Sequence, residues 1–105
     1  MGATEYVIPL AERVRKRHRH EADKGKVTSF AVQLEVFTEN QWKVVIRYDS
    51  AHGYSHMDRF YRDGRRVKKE LRLNLKEALT LADEDIKDNW KFLSLWSIIF
   101  RLVAV

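Results

Sequence analysis

The hydrophobic period of the chain changes once, and that change limits what it can fold into. From Thr28 to Leu73 apolar residues recur mostly at every second position, and from Asn74 onward at every third or fourth. A period of two lines one face of a strand; a period near 3.6 lines one stripe of a helix. Phe30, Val32, Leu34 and Val36 alternate with Ala31, Gln33 and Glu35, and Trp42, Val44, Ile46 and Tyr48 alternate with Lys43, Val45 and Arg47. The polar link Thr38-Glu39-Asn40-Gln41 joins the two runs as a hairpin. After the loop Asp49-Ser50-Ala51-His52-Gly53, residues 54–61 form a weaker third strand. The Asp63-Gly64 turn then leads to a fourth, where Val67, Leu71 and Leu73 oppose Arg66, Lys68, Glu70 and Arg72. Lys69 interrupts the apolar face of that strand, as an edge position allows.

Asn74 followed by Glu77 marks a helix N-terminus, close to a capping box. Leu75, Ala78, Leu79, Ala82, Ile86, Leu93, Trp96 and Phe100 then recur at helical spacing, flanked by Trp90, and no Gly or Pro follows Gly64. The predicted fold is α+β: a four-stranded antiparallel meander with one long C-terminal helix packed on one face. Residues 1–27 read as a basic N-terminal arm or short helix beginning near Pro9, and residues 28–105 as a single α+β domain.

A chain of 105 residues supports one core. Its 45% hydrophobic and 33% charged residues exclude a disordered chain, and the absence of cysteine excludes disulfides, Cys-ligated zinc and thiol nucleophiles. The N-terminus has no apolar signal region, and the apolar run 92–105 is too short for a membrane span and is interrupted by Arg101. The expectation is a cytoplasmic protein without a membrane span. No phosphate-binding glycine loop, nucleophile elbow or zincin motif occurs, which argues against nucleotide-dependent and serine-hydrolase chemistry.

The charge sum, 20 Lys and Arg against 15 Asp and Glu, gives a net of +5. Most of the excess lies in two blocks. Arg13, Arg15 and Arg17 stand with Lys16, Arg19, His18 and His20; Arg59, Arg62, Arg65, Arg66, Lys68 and Lys69 surround the single Asp63, with Phe60 and Tyr61 alongside. Guanidiniums fit phosphates and aromatic rings stack on unpaired bases, so these residues are expected to contact RNA or another polyanion.

The densest chemistry lies between Arg47 and Asp58. His52 and His56 can exchange a proton near neutral pH, Arg47 can neutralise a phosphate, and Asp49 lies two residues beyond Arg47. That set is compatible with phosphodiester cleavage without a cofactor. The same residues serve equally well as turn formers and sheet-edge hydrogen-bonding groups. His52, His56, Asp49 and Asp58 are acceptable zinc or manganese ligands, but His-x3-His aligns only on a helix and Gly53 argues against one, so no metal is expected.

Beyond Lys91 the helix becomes apolar on every side, with Phe92, Leu95, Trp96, Ile99 and Leu102 outside what one sheet can cover. Such a surface predicts a homodimer or an obligate protein partner through the C-terminal helix.

The stretch 45–58, the Asp63-Gly64 turn and the helix from Ala78 to Trp90 resemble a family of short uncharacterised prokaryotic proteins carrying an Arg-Tyr-Asp-x-Ala-His-Gly segment and a helix ending in Asn-Trp. The resemblance covers roughly residues 27–91 and implies no activity. More distantly, Arg47 to His52 is similar to the core of small toxins of two-gene toxin–antitoxin systems, in which an Arg-aromatic-Asp-Asn-Ala stretch precedes clustered histidines. Here Ser50 stands in place of the asparagine and His56 alone represents the downstream cluster. This resemblance implies Arg47, Asp49, His52 and His56 as catalytic candidates. The expected function is a small basic protein that binds or cleaves RNA as a toxin-like member of a two-gene system; the alternative is a non-catalytic dimerising module built on the C-terminal helix.

Overall fold

The computed structural model describes the backbone of residues 2–104 and the side chains of residues 2–95. Six antiparallel strands follow one another in sequence order: β1 (Gly2–Ala11), β2 (Val14–Asp23), β3 (Lys26–Thr38), β4 (Gln41–Asp49), β5 (His56–Phe60) and β6 (Arg66–Glu70). An α-helix, α1 (Leu75–Ala104), follows the sheet.

The fold is α+β, but the expected four-stranded sheet is replaced by six strands. The basic N-terminal arm or short helix expected over residues 1–27 is instead the hairpin β1–β2, paired from Gly2 opposite Ala22 to Ala11 opposite Val14 with a register shift between Pro9 and Ala11. The physical reason lies in what β2 buries. Its helix-side positions are Val14, Lys16, His18 and His20, so an apolar alternation never forms. Polar groups on α1 take its place: Lys16 Nζ lies 2.5 Å from Asp83 Oδ1 and His18 Nδ1 lies 3.5 Å from the same oxygen. At the other end of the sheet, Leu71 and Leu73 lie beyond β6, where Arg72 takes φ 56° and the chain leaves the sheet for α1.

Two turns show why the hairpins form where they do. Glu39 and Asn40 adopt φ 54° and 63° between Thr38 and its partner Gln41, the two left-handed residues that match strand twist in a tight hairpin. Lys24 and Gly25, at φ 50° and 79°, do the same between β2 and β3. A register shift at Leu34/Glu35 makes one residue of β4 bulge, so Val45 and Ile46 are both buried although they are neighbours.

The core lies between α1 and the middle of the sheet. Val14, Phe30, Val32, Leu34, Ile46 and Tyr48 meet Ala78, Ala82 and Ile86. Asn74 caps the helix: its Oδ1 accepts from the Glu77 backbone N–H at 2.8 Å, and its side-chain amide donates to the Glu77 carboxylate. Tyr48 Oη donates to Asp85 Oδ2 at 2.5 Å, which fixes α1 over β4. Burial, with the Asp85 carboxylate beside it, pushes the phenol far above its usual range, so this donor keeps its proton. Among the described residues no helix is long and apolar enough to cross a membrane.

His18 makes this interface sensitive to pH. It is buried, stacked on Tyr6 at 4.5 Å between ring centres, and bonded to His20 at 2.7 Å. Burial pulls its pKa below the ordinary histidine value, Asp83 opposing with less force. The unfolded chain therefore binds a proton that the native ring refuses. The stabilisation is complete above about pH 6.5 and is lost as pH falls below that toward the lowered native value. Urea unfolding at a series of pH values should show the wild type losing stability below pH ~6.5 faster than His18→Phe, which keeps the stack and removes the titration. Parallel curves for the two proteins would refute the assignment.

Candidate functional site

The pleat of the sheet divides the chemistry-bearing residues between two faces. Opposite α1, neighbouring strands bring Arg17, Gln33, Arg47, Asp58 and Lys68 into one transverse row, and Arg19, Ala31, Asp49, His56 and Glu70 into the next. Arg47 and Asp49 thus share a face with His56, Asp58 and Phe60. Alternation within one strand cannot reveal this, because it depends on the β4–β5 register.

On this face carboxylates lie beneath guanidiniums. Glu35 is buried, with Oε1 2.5 Å from Arg15 Nε and Oε2 3.2 Å from Arg17 Nε, and it also accepts from the Gln33 amide. Burial opposes its charge, but the bonds from Arg15, Gln33 and Arg17 together hold its pKa below the usual carboxylate range. Gln33 passes the network on by accepting from Arg47 Nε at 2.9 Å. Asp58 is likewise buried, and the Arg66 guanidinium straddles both of its oxygens at 3.1 and 3.3 Å. Aromatic rings support the cations: Arg15 lies 4.0 Å over Trp42, and Arg47 and Arg66 lie 5.4 and 5.2 Å over Phe60.

A pinned loop brings the histidines to the end of this face. Ser50 bonds the Phe30 backbone through its N–H at 3.0 Å and its Oγ at 2.9 Å. Ser55 Oγ donates to Leu73 O at 2.8 Å, and Ser55 O accepts from Leu71 N at 3.1 Å. Between these anchors runs the 3-10 turn Ala51–Gly53, in which His52 and Gly53 both adopt left-handed backbones, φ 71° and 85°. His52 is exposed, and its ring is inclined 29° to that of His56 with centres 6.3 Å apart. His56 is 2% exposed. Its Nε2 lies 2.5 Å from Asp49 Oδ1 and 3.7 Å from Asp58 Oδ2, and its Nδ1 lies 3.3 Å from Tyr54 O. Asp49, His52 and His56 therefore converge, Arg47 borders them on the same face, and of the two histidines only His52 is exposed.

The two basic blocks do not act as blocks. Strand alternation sends Arg15 and Arg17 to the open face and Lys16 and His18 toward α1. Arg59 is buried on the helix side, donating to Leu93 O at 3.3 Å, and burial lowers its pKa. It is thereby withdrawn from the expected polyanion contacts. Arg62 donates to Thr38 Oγ1 at 2.6 Å, Arg65 pairs with Asp63 at 3.0 Å over the Tyr61 ring, and Arg13 lies over Phe37. Lys68 and Lys69 are exposed on opposite faces of edge strand β6. On the helix side, Arg13, Lys43 and Arg62 rim a cavity of about 510 Å³ floored by Val14, Val36 and Val45. Of the expected protein-contact residues, Phe92 and Leu95 are 63% and 54% exposed; Trp96, Ile99 and Leu102 lie outside the described side chains.

Glu35, Gln33, Asp58 and Arg66 complete the face although sequence reasoning did not assign the first three to a network. Their sign was residual: an acidic or amide residue on the polar side of a central strand needs a partner from the next strand. Gly53→Ala should destabilise the protein by about 1 kcal/mol, because its left-handed backbone disfavours a Cβ. A thermal melt reads this, and an unchanged midpoint would show that the loop backbone relaxes freely.

No curated protein and no solved structure matches the chain. The model of one family, described as a domain of unknown function (DUF7718), matches residues 1–95. That span includes β1–β6, the pinned loop and α1 as far as Leu95, and the chain therefore belongs to this family of unknown function.

Proposed function

We propose that the protein binds single-stranded RNA on the open face of its sheet. The observation that carries this reading is the layering of exposed or half-exposed guanidiniums on aromatic rings above buried carboxylates, with Arg15 over Trp42 and Arg47 and Arg66 over Phe60. A guanidinium has five N–H donors, and the carboxylate contacts engage only one or two on each arginine. The remaining donors suit phosphate oxygens, and the neighbouring rings suit unpaired bases.

Arg47 and Lys68 are the residues to test, since no buried carboxylate is among their hydrogen-bond or ion-pair partners on the described residues. Fluorescence anisotropy with a labelled RNA oligonucleotide should give an affinity that falls steeply with salt. Arg47→Gln and Lys68→Gln should each weaken binding several-fold at about 50 mM salt and lower the logarithmic salt slope by roughly 0.7. Undetectable binding of the wild type at that salt would end this reading.

The finer form is cleavage by a toxin-like member of a two-gene system. His52 is then the proton-transfer group, because it is exposed beside the face, while His56 positions the loop from beneath. Expression should arrest growth, and His52→Ala should relieve the arrest and abolish RNA cleavage without loss of RNA binding. Growth arrest undiminished by His52→Ala would exclude that form.

The exposure of Phe92 and Leu95 favours a second reading, in which α1 binds a protein partner or a second copy. Sedimentation of wild type and Leu95→Asp separates the two: a dimer lost in the variant supports it, and a monomeric wild type removes self-association.

A further inference from the structure

We propose that Asp49, His56 and Asp58 form a binding site for a first-row divalent cation, with Zn2+ preferred over Mn2+. The inference is independent of RNA binding and goes beyond it. The objection from sequence concerned His52 with His56, whose spacing suits a helix. The structure brings together a different set: one imidazole nitrogen and one oxygen from each of two carboxylates, all within 4.8 Å of one another.

Four observations carry the inference. First, His56 Nδ1 faces Tyr54 O at 3.3 Å, while Nε2 faces Asp49 Oδ1 at 2.5 Å and Asp58 Oδ2 at 3.7 Å, so one ring nitrogen is held on a backbone acceptor and the other lies between two carboxylates. A proton on Nε2 or a metal ion can bridge that approach. Donation of the second ring N–H to a backbone carbonyl is also how proteins fix a histidine that ligates metal.

Second, the site is buried and short of cations. His56 and Asp58 are 2% and 1% exposed, and the Asp49 side chain is 14% exposed. Among the described residues Asp58 pairs with Arg66, and Asp49 pairs with no Lys or Arg. Burying the second without compensation is costly. Third, the Arg66 contacts leave lone pairs on Asp58 and orient it, the role of an outer-shell partner.

Fourth, the geometry needs little adjustment. Donors at 2.0–2.2 Å from one ion stand roughly 3.0–3.5 Å apart. The 3.7 Å pair must close by roughly 0.2 Å or more and the 2.5 Å pair must open by roughly half an ångström or more, movements that rotation of the Asp49 and Asp58 side chains can supply, and the two carboxylates offer oxygens within 4.8 Å of each other. Strand register and the Ser50 and Ser55 anchors hold the backbones in place. Exposed His52, with its ring centre 6.3 Å from that of His56, marks the open side of the site. The mixed imidazole–carboxylate set favours Zn2+ or Mn2+ over Mg2+ and Ca2+, and Zn2+ binds the tighter of the two in the divalent series.

The test uses the full chain after chelator treatment and dialysis. Calorimetric titration with Zn2+ should give one equivalent at the site and a raised melting temperature, and Asp49→Asn should weaken binding at least tenfold. Mn2+ added to the isotope-labelled wild type should broaden NMR signals of His56 and its neighbours first, a reading that holds even if the variant folds poorly. His18→Phe should leave the binding intact. Broadening centred on His18 and His20, equal affinity in folded Asp49→Asn, or no saturable binding below about 1 mM would overturn the proposal and leave a proton as the charge between His56 and Asp49.

Discussion

The close approach of α1 to β3 depends on two alanines. Ala78 and Ala82 are fully buried and face Phe30, Val32 and Leu34 with no side chain long enough to hold the helix away. Each large apolar side chain buried there contributes roughly 1.5–3 kcal/mol as area removed from water. Beside this contact the flanking strands also meet α1 through polar groups: Lys16 and His18 with Asp83 on one side, and Arg59 with the Leu93 carbonyl on the other. The polar residues of β2 that look foreign to a sheet are the ones its position beside the helix calls for.

Among the described residues no element covers the second face of the same sheet, and its stability follows a different rule. Glu35 and Asp58 are buried without apolar cover, so each must be bonded by cations from adjacent strands. Arginine suits this task because one planar group can bond a carboxylate and rest on a ring together. The result is a surface whose outermost groups are cationic although acids lie close beneath. The net charge of +5 describes that surface poorly. Several arginines counted in it are neutralised locally, and Arg59 is withdrawn into the helix interface.

The Arg47-to-Asp58 segment gains meaning from its place between these two faces. Its alternate residues point both ways: Tyr48 holds the helix, while Arg47 and Asp49 belong to the open face. Ser50 and Ser55 are anchors rather than reactive groups. The left-handed backbone of His52 and Gly53 turns the chain so that one histidine is exposed directly over a buried one. A loop that places imidazoles and carboxylates this closely, fixed at both ends, is suited to holding a charged ligand without first paying to order itself.

Local pattern alone determined β3, β4, their hairpin, the Asp63-Gly64 turn and the Asn74 cap, because each rests on alternation or turn chemistry within a few residues. The helix stripe through Ala78, Ala82 and Ile86 was equally legible. The hairpin β1–β2 was not, since beyond Val14 the inward positions of β2 are Lys and His, and the partner of Lys16 and His18, Asp83, lies over sixty residues away in the chain. The same limit applied to the site. The Arg47-to-Asp58 cluster could be recognised from its residue types, but which members meet depended on the β4–β5 register and on two serine anchors. Whether a basic residue reaches solvent was decided by the pleat and by the position of α1. Short-range periodicity records which side chains share a face of one element; only the packed sheet and helix decide which faces meet, and therefore which charges are paired, buried or left for a ligand.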